Sequence, residues 1–166
     1  GIQRVAVSTG PGAFTGLRVG VSMALGVAMA RMIPVVGLSS LAVRAAMHPG
    51  GEILALLDAR KGRVYGGYFD TRPDLPRLLG PEQDVALAEL LDRPNIQATG
   101  EGAVVRADEI VSAGGSVLSG AADSPAVAVA RLGLLSPEEC SPMDLQLRYI
   151  RLPDAKKPAR SKDWRA

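Results

Sequence analysis

The fold is decided by RVAVSTGPGAFTGLR, residues 4–18. Its first five residues, Arg4–Ser8, form a short β-branched run that predicts a buried strand. The next four residues, Thr9–Gly12, contain glycine and proline, which both interrupt regular structure. Thr15 is then expected to cap a helix that runs to about Met32. The stretch therefore predicts a strand, a glycine turn and a helix, which together begin an α/β unit.

The residues after this helix continue the alternation. Pro34 is expected to stop the helix, and Ile33–Leu38 predicts a second buried strand. Either Ser39 or Ser40 is expected to cap a short helix over Leu41–Met47. Strands that alternate with helices in this way indicate parallel pairing within an α/β layer.

The middle of the chain changes to an antiparallel pattern. Glu52–Asp58 and Arg63–Asp70 flank the short turn Ala59–Gly62, and this arrangement predicts a hairpin. The remaining patterns predict helices over 82–91, 103–113 and 123–133, a strand over 95–99, and a strand or loop over 145–152. The last of these helices is expected to start at Asp123-Ser124-Pro125, with a capping side chain and a proline near the first helical position. Together these elements predict a mixed sheet with helices on its faces and a domain boundary near residue 50.

The composition is that of a globular chain. Of its 166 residues, 47% are apolar and 22% are charged. Cys140 is the single cysteine and His48 the single histidine, so the chain by itself makes neither an internal disulfide nor a zinc site of paired histidines. The net charge of +2 hides a basic segment, 156–166, of net +4, while residues 1–155 carry a net charge of −2. A body of that charge is not expected to bind nucleic acid alone.

The start of the chain and its apolar stretches predict where in the cell the protein is located. The chain opens with Gly1 rather than with a charged, then apolar, leader, so no signal peptide is expected. The longest uncharged apolar stretch, 19–30, is too short to span a bilayer. We therefore expect a cytoplasmic protein that does not enter the membrane.

The helix after the glycine turn carries a stripe of small residues. Gly16, Gly20, Ala24 and Ala28 recur every four residues and are expected to share one face. The other positions are mostly apolar, so the helix is expected to be buried on all sides. Two interpretations remain open, in which the stripe packs against a partner's helix or belongs to the core of this chain. Arg18, near the start of the helix, is expected to reach a carboxylate or a backbone carbonyl. Under the partner interpretation, the candidate contact residues are Thr15, Gly16, Leu17, Arg18, Gly20, Val21, Ala24, Val27 and Ala28.

Three glycine-containing junctions are candidate phosphate or nucleotide contacts, because glycine turns before helices leave backbone N–H groups free. The candidate residues are Gly10, Gly12, Asp58, Arg60, Gly62, Gly100 and Gly102. Their spacing matches neither the P-loop nor the dinucleotide-binding fingerprint. A plain tight turn is the competing interpretation at each junction, and the spacing favours it.

Three motifs in order resemble the TsaB (YeaZ) family of the bacterial tRNA threonylcarbamoyladenosine (t6A) pathway. The first combines residues 5–18 with 33–41, the second is LDARKGRVY at 57–65, and the third is YIRLPDAK at 149–156. The resemblance implies an actin/Hsp70-like ATPase fold, which is also described as ribonuclease H-like, with two related α/β halves.

The same resemblance implies a division of the chain and an incomplete first half. Residues 1–50 would be the remainder of the first half, 51–155 the second half, and 156–166 a basic tail. Members of the family begin with a strand–hairpin unit and a first helix, and no segment here matches them. The chain is therefore expected to lack that unit and to expose apolar surface in its place.

The resemblance also implies a function. The expected role is that of a non-catalytic scaffold for the paralogue TsaD, which transfers the threonylcarbamoyl group onto the adenosine next to the anticodon. A small ATPase, TsaE, would complete the assembly, tRNA would be contacted only indirectly, and the chain would form a homodimer when alone. No tightly bound cofactor is expected, although ATP or ADP with Mg²⁺ at the partner interface is compatible with the glycine turns.

The catalytic paralogue holds a metal with a His-x-x-x-His motif directly after a strand like Ile33–Leu38. When the motif is aligned on Gly37 and Leu41, the two histidines fall on Ser40 and Arg44, which do not replace imidazole ligands. The chain is therefore interpreted as a pseudo-enzyme rather than a glycoprotease-like metallopeptidase. The main alternative is a free-standing nucleotide-binding ATPase or small-molecule kinase of the same fold.

Overall fold

A computed structural model describes residues 1–121 and 123–151. The strands are β1 (Val5–Gly10), β2 (Val35–Ser39), β3 (Glu52–Arg60), β4 (Arg63–Asp70), β5 (Arg77–Leu78), β6 (Gln83–Ala86), β7 (Gln97–Thr99) and β8 (Ser116–Val117). The helices are α1 (Phe14–Arg31), α2 (Ser40–Ala46), α3 (Glu101–Val105), α4 (Ala107–Ser112) and α5 (Pro125–Leu135).

These strands form two sheets. Strands β1 and β2 pair in parallel, in a register that sets Val5 opposite Val35 and Ser8 opposite Leu38. The second sheet has the order β5-β4-β3-β7-β8, and β6 also pairs with β4. In it, β3 is antiparallel to β4 and parallel to β7. The predicted α/β class with mixed sheets and flanking helices is confirmed.

Strand β3 is the centre of the larger sheet. Its residues Ile53–Leu57 are all buried, which is typical of a strand covered on both faces. Leu54 and Leu56 belong to one apolar cluster, which includes Ile110 of α4. Ile53, Ala55 and Leu57 belong to a second cluster on the other face, which includes residues of α2. Each fully buried Leu or Ile contributes about 1.5–3 kcal/mol to folding, so β3 anchors this half of the chain.

Helix α2 joins the two sheets. Leu41 and Ala45 pack into the cluster on β3, whereas Val43 and Ala46 pack with residues of α5 in a third cluster. Its start was predicted correctly, because the Ser39 hydroxyl accepts hydrogen bonds from the N–H groups of the second and third helical residues. The domain boundary near residue 50 remains a prediction, since α2 serves the cores of both halves.

Two predictions about helix starts have different outcomes. Thr15 does not cap α1, because the helix begins at Phe14 and the preceding Ala13 makes no side-chain cap hydrogen bond. Ser124 does cap α5, and its hydroxyl accepts from the N–H of Val127 while Pro125 occupies the first helical position. That helix ends at Leu135, two residues beyond the predicted end.

The predicted helix over 82–91 is wrong. Gln83–Ala86 is strand β6, and only Leu87–Leu90 forms a single 3₁₀ turn. The reason is tertiary, because β4 has an open edge along which β6 pairs, with Val85 opposite Val64. Residues 103–113 were also predicted as one helix, but the chain breaks at Arg106 into α3 and α4.

The chain after α5 returns to the first sheet. Residues 145–151 contain no strand, so the loop is the correct alternative of the two that were left open there. The predicted basic tail, 156–166, and most of the third family motif lie outside the described residues. Within the part of the chain that the structure describes, no helix has both the length and the apolar character needed to cross a bilayer.

Candidate partner-docking site

Helix α1 is covered by its own chain along one side only. Its covered side is formed by Leu17, Val21, Ala24, Leu25 and Ala28, at the three- and four-residue spacing of one helical face. Only Val21 and Ala28 are fully buried. The expectation that α1 is buried on all sides is therefore wrong for the chain alone, because the two-stranded sheet beneath it covers a single face.

The opposite side of α1 is exposed and apolar. Val19, Met23 and Val27 are 54%, 69% and 47% exposed, and their four-residue spacing makes them one ridge along the helix. Small residues flank this ridge on both sides. We call the whole surface the docking face, and it consists of Gly16, Val19, Gly20, Ser22, Met23, Gly26, Val27 and Ala30.

The docking face contains no charged residue. The two charges of α1 are Arg18 and Arg31. At about 100° per residue, Arg18 lies well to one side of the ridge, whereas Arg31 continues the four-residue spacing of the ridge at the end of the helix and so borders the docking face there. Full burial of a Val or Met side chain contributes about 1.5–3 kcal/mol. Since the ridge residues keep about half or more of their exposure, a partner that covered them would gain a large part of that free energy.

The small-residue stripe winds from the solvent into the core. A Cβ added at Gly16 or Gly20 would meet no atom within 4 Å, whereas Ala28 is fully buried. Each four-residue step turns the stripe about 40° further around the helix, so its two ends face different surroundings.

The predicted partner residues divide accordingly. Thr15, Gly16, Arg18, Gly20 and Val27 are exposed, Leu17 and Ala24 are partly covered, and Val21 and Ala28 are covered by the chain itself. The sequence interpretation missed Val19, Ser22, Met23, Gly26 and Ala30. An angular projection of the helix groups these residues, but an apolar helix does not indicate which of its sides faces outward.

Among the residues that the structure describes, Arg18 reaches neither a carboxylate nor a backbone carbonyl, so that expectation is wrong for this part of the chain. Its guanidinium lies over the Phe14 ring, 3.9 Å from the centroid, and its Nε donates to the Tyr149 hydroxyl at 3.2 Å. The Phe14 and Tyr149 rings are 5.7 Å apart between centroids. The partner for Arg18 comes from the other end of the chain, which no local pattern around residue 18 indicates.

A cleft of about 610 Å³ lies between the first turn of α1 and the β3–β4 hairpin tip. The lining residues are Gly12, Ala13, Phe14, Thr15, Asp58, Ala59, Arg60, Tyr65 and Arg151. The structure thus brings together Gly12, Asp58 and Arg60 from the predicted nucleotide contacts. Gly10, Gly62, Gly100 and Gly102 do not line this cleft.

The lining of the cleft suits an anion better than a divalent cation. The N–H groups at the start of α1 and the side chain of Arg60 are complementary to phosphate oxygens. Arg151 adds positive charge, although its Nε already pairs with Asp84 and its Nη1 with the Ala59 carbonyl. Asp58 is the single carboxylate among the described residues of the lining, and its Oδ1 already accepts the Arg60 N–H at 2.9 Å. The residues therefore fit a phosphate group, but they supply fewer oxygen ligands than Mg²⁺ usually takes from a protein and its nucleotide.

Two of the other predicted glycines are explained by close backbone packing. Gly10 and Gly100 have φ values of +122° and +95°, which residues with a side chain rarely adopt. A Cβ at Gly10 would collide with the carbonyl oxygen of Arg148, and one at Gly100 with that of Leu56. Glycine is required at both positions whether or not a nucleotide binds.

The two positions that align with the paralogue's metal ligands lie at either end of α2. Ser40 opens the helix, and Arg44 near its end forms a bidentate pair with Glu101 of α3. Burial alone would raise the pKa of Glu101, but the hydrogen bonds from Arg44 hold that pKa below its ordinary value. Over residues 1–121 and 123–151, no three His, Cys, Asp or Glu side chains are grouped so as to hold a metal ion.

Comparison with known proteins places this geometry in a family. The sequence pattern of the TsaD family, tRNA N6-adenosine threonylcarbamoyltransferase, matches residues 1–125. TsaB of Bacillus subtilis, a tRNA threonylcarbamoyladenosine biosynthesis protein, is 38% identical over 93 residues, which are 55% of this chain and 41% of that protein. TsaB of Escherichia coli is 41% identical over 68 residues, 39% of this chain and 29% of that protein. The matches therefore span less than half the length of these curated relatives.

Solved structures show the same fold. YeaZ from Pseudomonas aeruginosa superposes with a TM-score of 0.71 at 24% identity, over 89% of this chain and 73% of that one. A second Pseudomonas aeruginosa structure, of a protein with similarity to peptidase YeaZ, superposes with a TM-score of 0.70 at 24% identity, over 90% and 74% of the two chains. The predicted actin-like ATPase fold is confirmed. The chain belongs to the TsaD family of tRNA N6-adenosine threonylcarbamoyltransferases and, within it, to the TsaB (YeaZ) group.

Proposed function

We propose that this chain is a non-catalytic subunit in tRNA N6-threonylcarbamoyladenosine biosynthesis and that it binds a TsaD-like catalytic paralogue through α1. The pathway is supported by the relatives, whose names place them in threonylcarbamoyladenosine biosynthesis. The subunit role is supported by the chain itself, in which Ser40 and Arg44 stand where the paralogue's two metal-binding histidines align.

The docking face is the observation that carries the partner role. It exposes Val19, Met23 and Val27 on one uncharged helical surface, and contiguous exposed apolar surface marks interaction sites. The open space around Gly16 and Gly20 allows a second helix to approach closely, as ridges-into-grooves packing requires.

The occupant we propose is an apolar helix of the catalytic paralogue. A charged or strongly polar helix would leave its own groups unpaired on this face, at a cost of about 1–3 kcal/mol for each group. When the paralogue is absent, a second copy of this chain would cover the face instead. A TsaE-like ATPase would join the pair, and tRNA would be contacted through the catalytic subunit.

Co-elution in size-exclusion chromatography tests the proposal. The chain and the purified TsaD-like paralogue should elute together, and Gly20→Leu should separate them because the leucine blocks the close approach of helices. Ser112→Leu, which places the same leucine side chain on the exposed side of α4, is the matched control and should co-elute. Unchanged co-elution of Gly20→Leu would remove the docking role.

One observation favours the alternative, a free-standing nucleotide-binding ATPase or kinase. The cleft at the start of α1 is lined by Arg60, Arg151 and free backbone N–H groups, which suit a phosphate. Titration calorimetry with Mg-ATP separates the two functions when it is done on the isolated chain and on the chain mixed with the paralogue. Binding near micromolar with turnover favours the enzyme, whereas binding only when the paralogue is present favours a nucleotide held at the subunit interface.

A further inference from the structure

A segment outside α1 contacts both halves of the chain. This segment is residues 145–151, which we call the strap. At its first-sheet contact, the Arg148 N–H donates to the Thr9 carbonyl at 2.8 Å. The Leu145 side chain lies over Gly37, where a Cβ would come within 2.8 Å of it. The strap therefore lies directly against the end of β1 and the middle of β2.

Two well-covered carboxylates fasten the strap to the second sheet. Arg148 pairs with Glu82 at 3.4 Å, and the Glu82 side chain is only 4% exposed. Arg151 pairs with Asp84 through its Nε at 2.8 Å, and its Nη1 donates to the Ala59 carbonyl at 3.0 Å. The Arg151–Asp84 pair is the better shielded of the two, with side-chain exposures of 22% and 11%, whereas the Arg148 side chain keeps 52% of its exposure. Because water screens a shielded pair less, the Arg151 pair is the stronger anchor of the strap.

The third contact of the strap is the first turn of α1. The Tyr149 ring packs beside Phe14, and its hydroxyl accepts a hydrogen bond from Arg18. Arg18 in turn covers the Phe14 ring, at 3.9 Å from the centroid. Three side chains, two from α1 and one from the strap, thus form one cluster at the start of the helix.

This cluster matters because α1 starts without a cap. Ala13 offers no side-chain acceptor to the first free N–H groups of the helix, and an uncapped helix start loses about 0.5–2 kcal/mol relative to a capped one. The first turn, which carries Gly16 of the docking face, is therefore stabilised by its contacts with the strap and not by local capping.

We propose that the strap is a positioning element of the docking site, and that Tyr149 holds the first turn of α1 in the conformation that a partner binds. This inference rests on the proposed function. It makes partner binding depend on a residue more than a hundred positions away from α1, anchored through Glu82 and Asp84 to the second sheet. Tyr149 itself touches no partner in this proposal, because it acts on Phe14 and Arg18.

The test combines amide hydrogen exchange with partner affinity, both on the full chain. Tyr149→Ala removes the ring and the hydroxyl, whereas Tyr149→Phe keeps the ring beside Phe14. Met143→Ala, at an exposed side chain just before the strap, is the matched control. Tyr149 is 46% exposed, so these substitutions are expected to leave the global fold intact, which the thermal midpoint checks.

For Tyr149→Ala, we expect the amide exchange rates of residues 14–18 to rise about tenfold. The dissociation constant for the TsaD-like paralogue should also increase about tenfold. Tyr149→Phe should restore most of the affinity, and Met143→Ala should match the wild type in both measurements. Recovery of affinity in Tyr149→Phe would indicate that the ring positions the first turn of α1. A general loss of stability would instead raise amide exchange throughout the chain.

Two results would overturn the proposal while leaving the docking face in place. The first is wild-type exchange over residues 14–18 in Tyr149→Ala. The second is a Tyr149→Ala variant that binds the paralogue as tightly as the wild type does, in an assay in which Met23→Glu abolishes binding. If the wild-type chain itself does not bind the paralogue, the proposed function fails, and the role of the strap in docking fails with it.

Discussion

The hydroxyl of Ser39 and the carboxylate of Glu82 are hydrogen-bonded across the boundary between the two sheets. Ser39 donates its only hydroxyl hydrogen to Glu82 while its oxygen accepts from the N–H groups of Leu41 and Ala42 at 3.1 and 3.3 Å. One side chain therefore caps α2 and also orients the carboxylate that pairs with Arg148. The start of α2, the edge of the second sheet and the strap are coupled through this single contact.

Ser39→Ala should lower the free energy of unfolding by about 2 kcal/mol, because it removes a helix cap and the hydroxyl that donates to one oxygen of a covered carboxylate. Urea denaturation measures the loss. Ser40→Ala is the matched control, since the cap of α2 is Ser39 and not its neighbour. Equal losses in the two variants would contradict a special role for Ser39.

Acid should destabilise the chain through Asp70. Hydrogen bonds from Arg72 lower the pKa of Asp70 to about 2 from an ordinary value of 3.8. A lowered pKa in the folded state stabilises the fold fully above the ordinary pKa, and this stabilisation is lost as the pH falls from about 4 to about 2. Asp70→Asn should therefore show a flatter dependence of unfolding free energy on pH in this window.

Arg72→Ala provides a second arm of the same test. It removes the side-chain hydrogen bond that contributes most to the lowered pKa of Asp70. The free energy of unfolding of this variant should therefore depend less on pH between about 4 and 2, as in Asp70→Asn. If the wild type and both variants lose stability in parallel across this window, Asp70 is not the group that titrates there.

The local signals in this sequence were sufficient for several elements. The two strands next to the turn glycines, the β3–β4 hairpin and the capped start of α5 were predicted within a few residues, and the cap of α2 was one of the two serines that the sequence offered. Each depends on side chains a few positions apart, such as a hydroxyl beside the N–H groups that it caps. The fold class followed because alternating strands and helices restrict the sheet pairing.

The remaining features depend on distant partners. Residues 83–86 became a strand because the edge of β4 was open to them, and their own apolar spacing fits a helix as well. The outward side of α1 could not be read from an evenly apolar helix, because the two-stranded sheet decides which side is covered. The cluster of Phe14 with Tyr149 joins residues 135 positions apart, and no local pattern predicts it.

The two ends of the small-residue stripe should respond to added bulk in opposite ways. Ala28 is fully buried, so Ala28→Leu should destabilise the chain by about 1–3 kcal/mol through overpacking. Gly20 has open space around it, and Gly20→Leu should stabilise the helix by up to about 1 kcal/mol because leucine favours helix more than glycine does. Thermal unfolding of the two variants measures the difference, and losses of similar size at both positions would contradict this orientation of α1.

Met23→Glu tests the docking face without changing the packing of the chain. Met23 is 69% exposed at the centre of the ridge, so a carboxylate there remains in water in the monomer, and the stability of the monomer should change by no more than about 0.5 kcal/mol. In a complex with a TsaD-like paralogue the same carboxylate would be buried without a partner, and the affinity should fall at least about a hundredfold. Val111→Glu, on the exposed side of α4, introduces the same charge elsewhere and should bind as the wild type does. Isothermal titration calorimetry measures both, and equal affinities for the two variants would show that the ridge on α1 is not the surface that the paralogue covers.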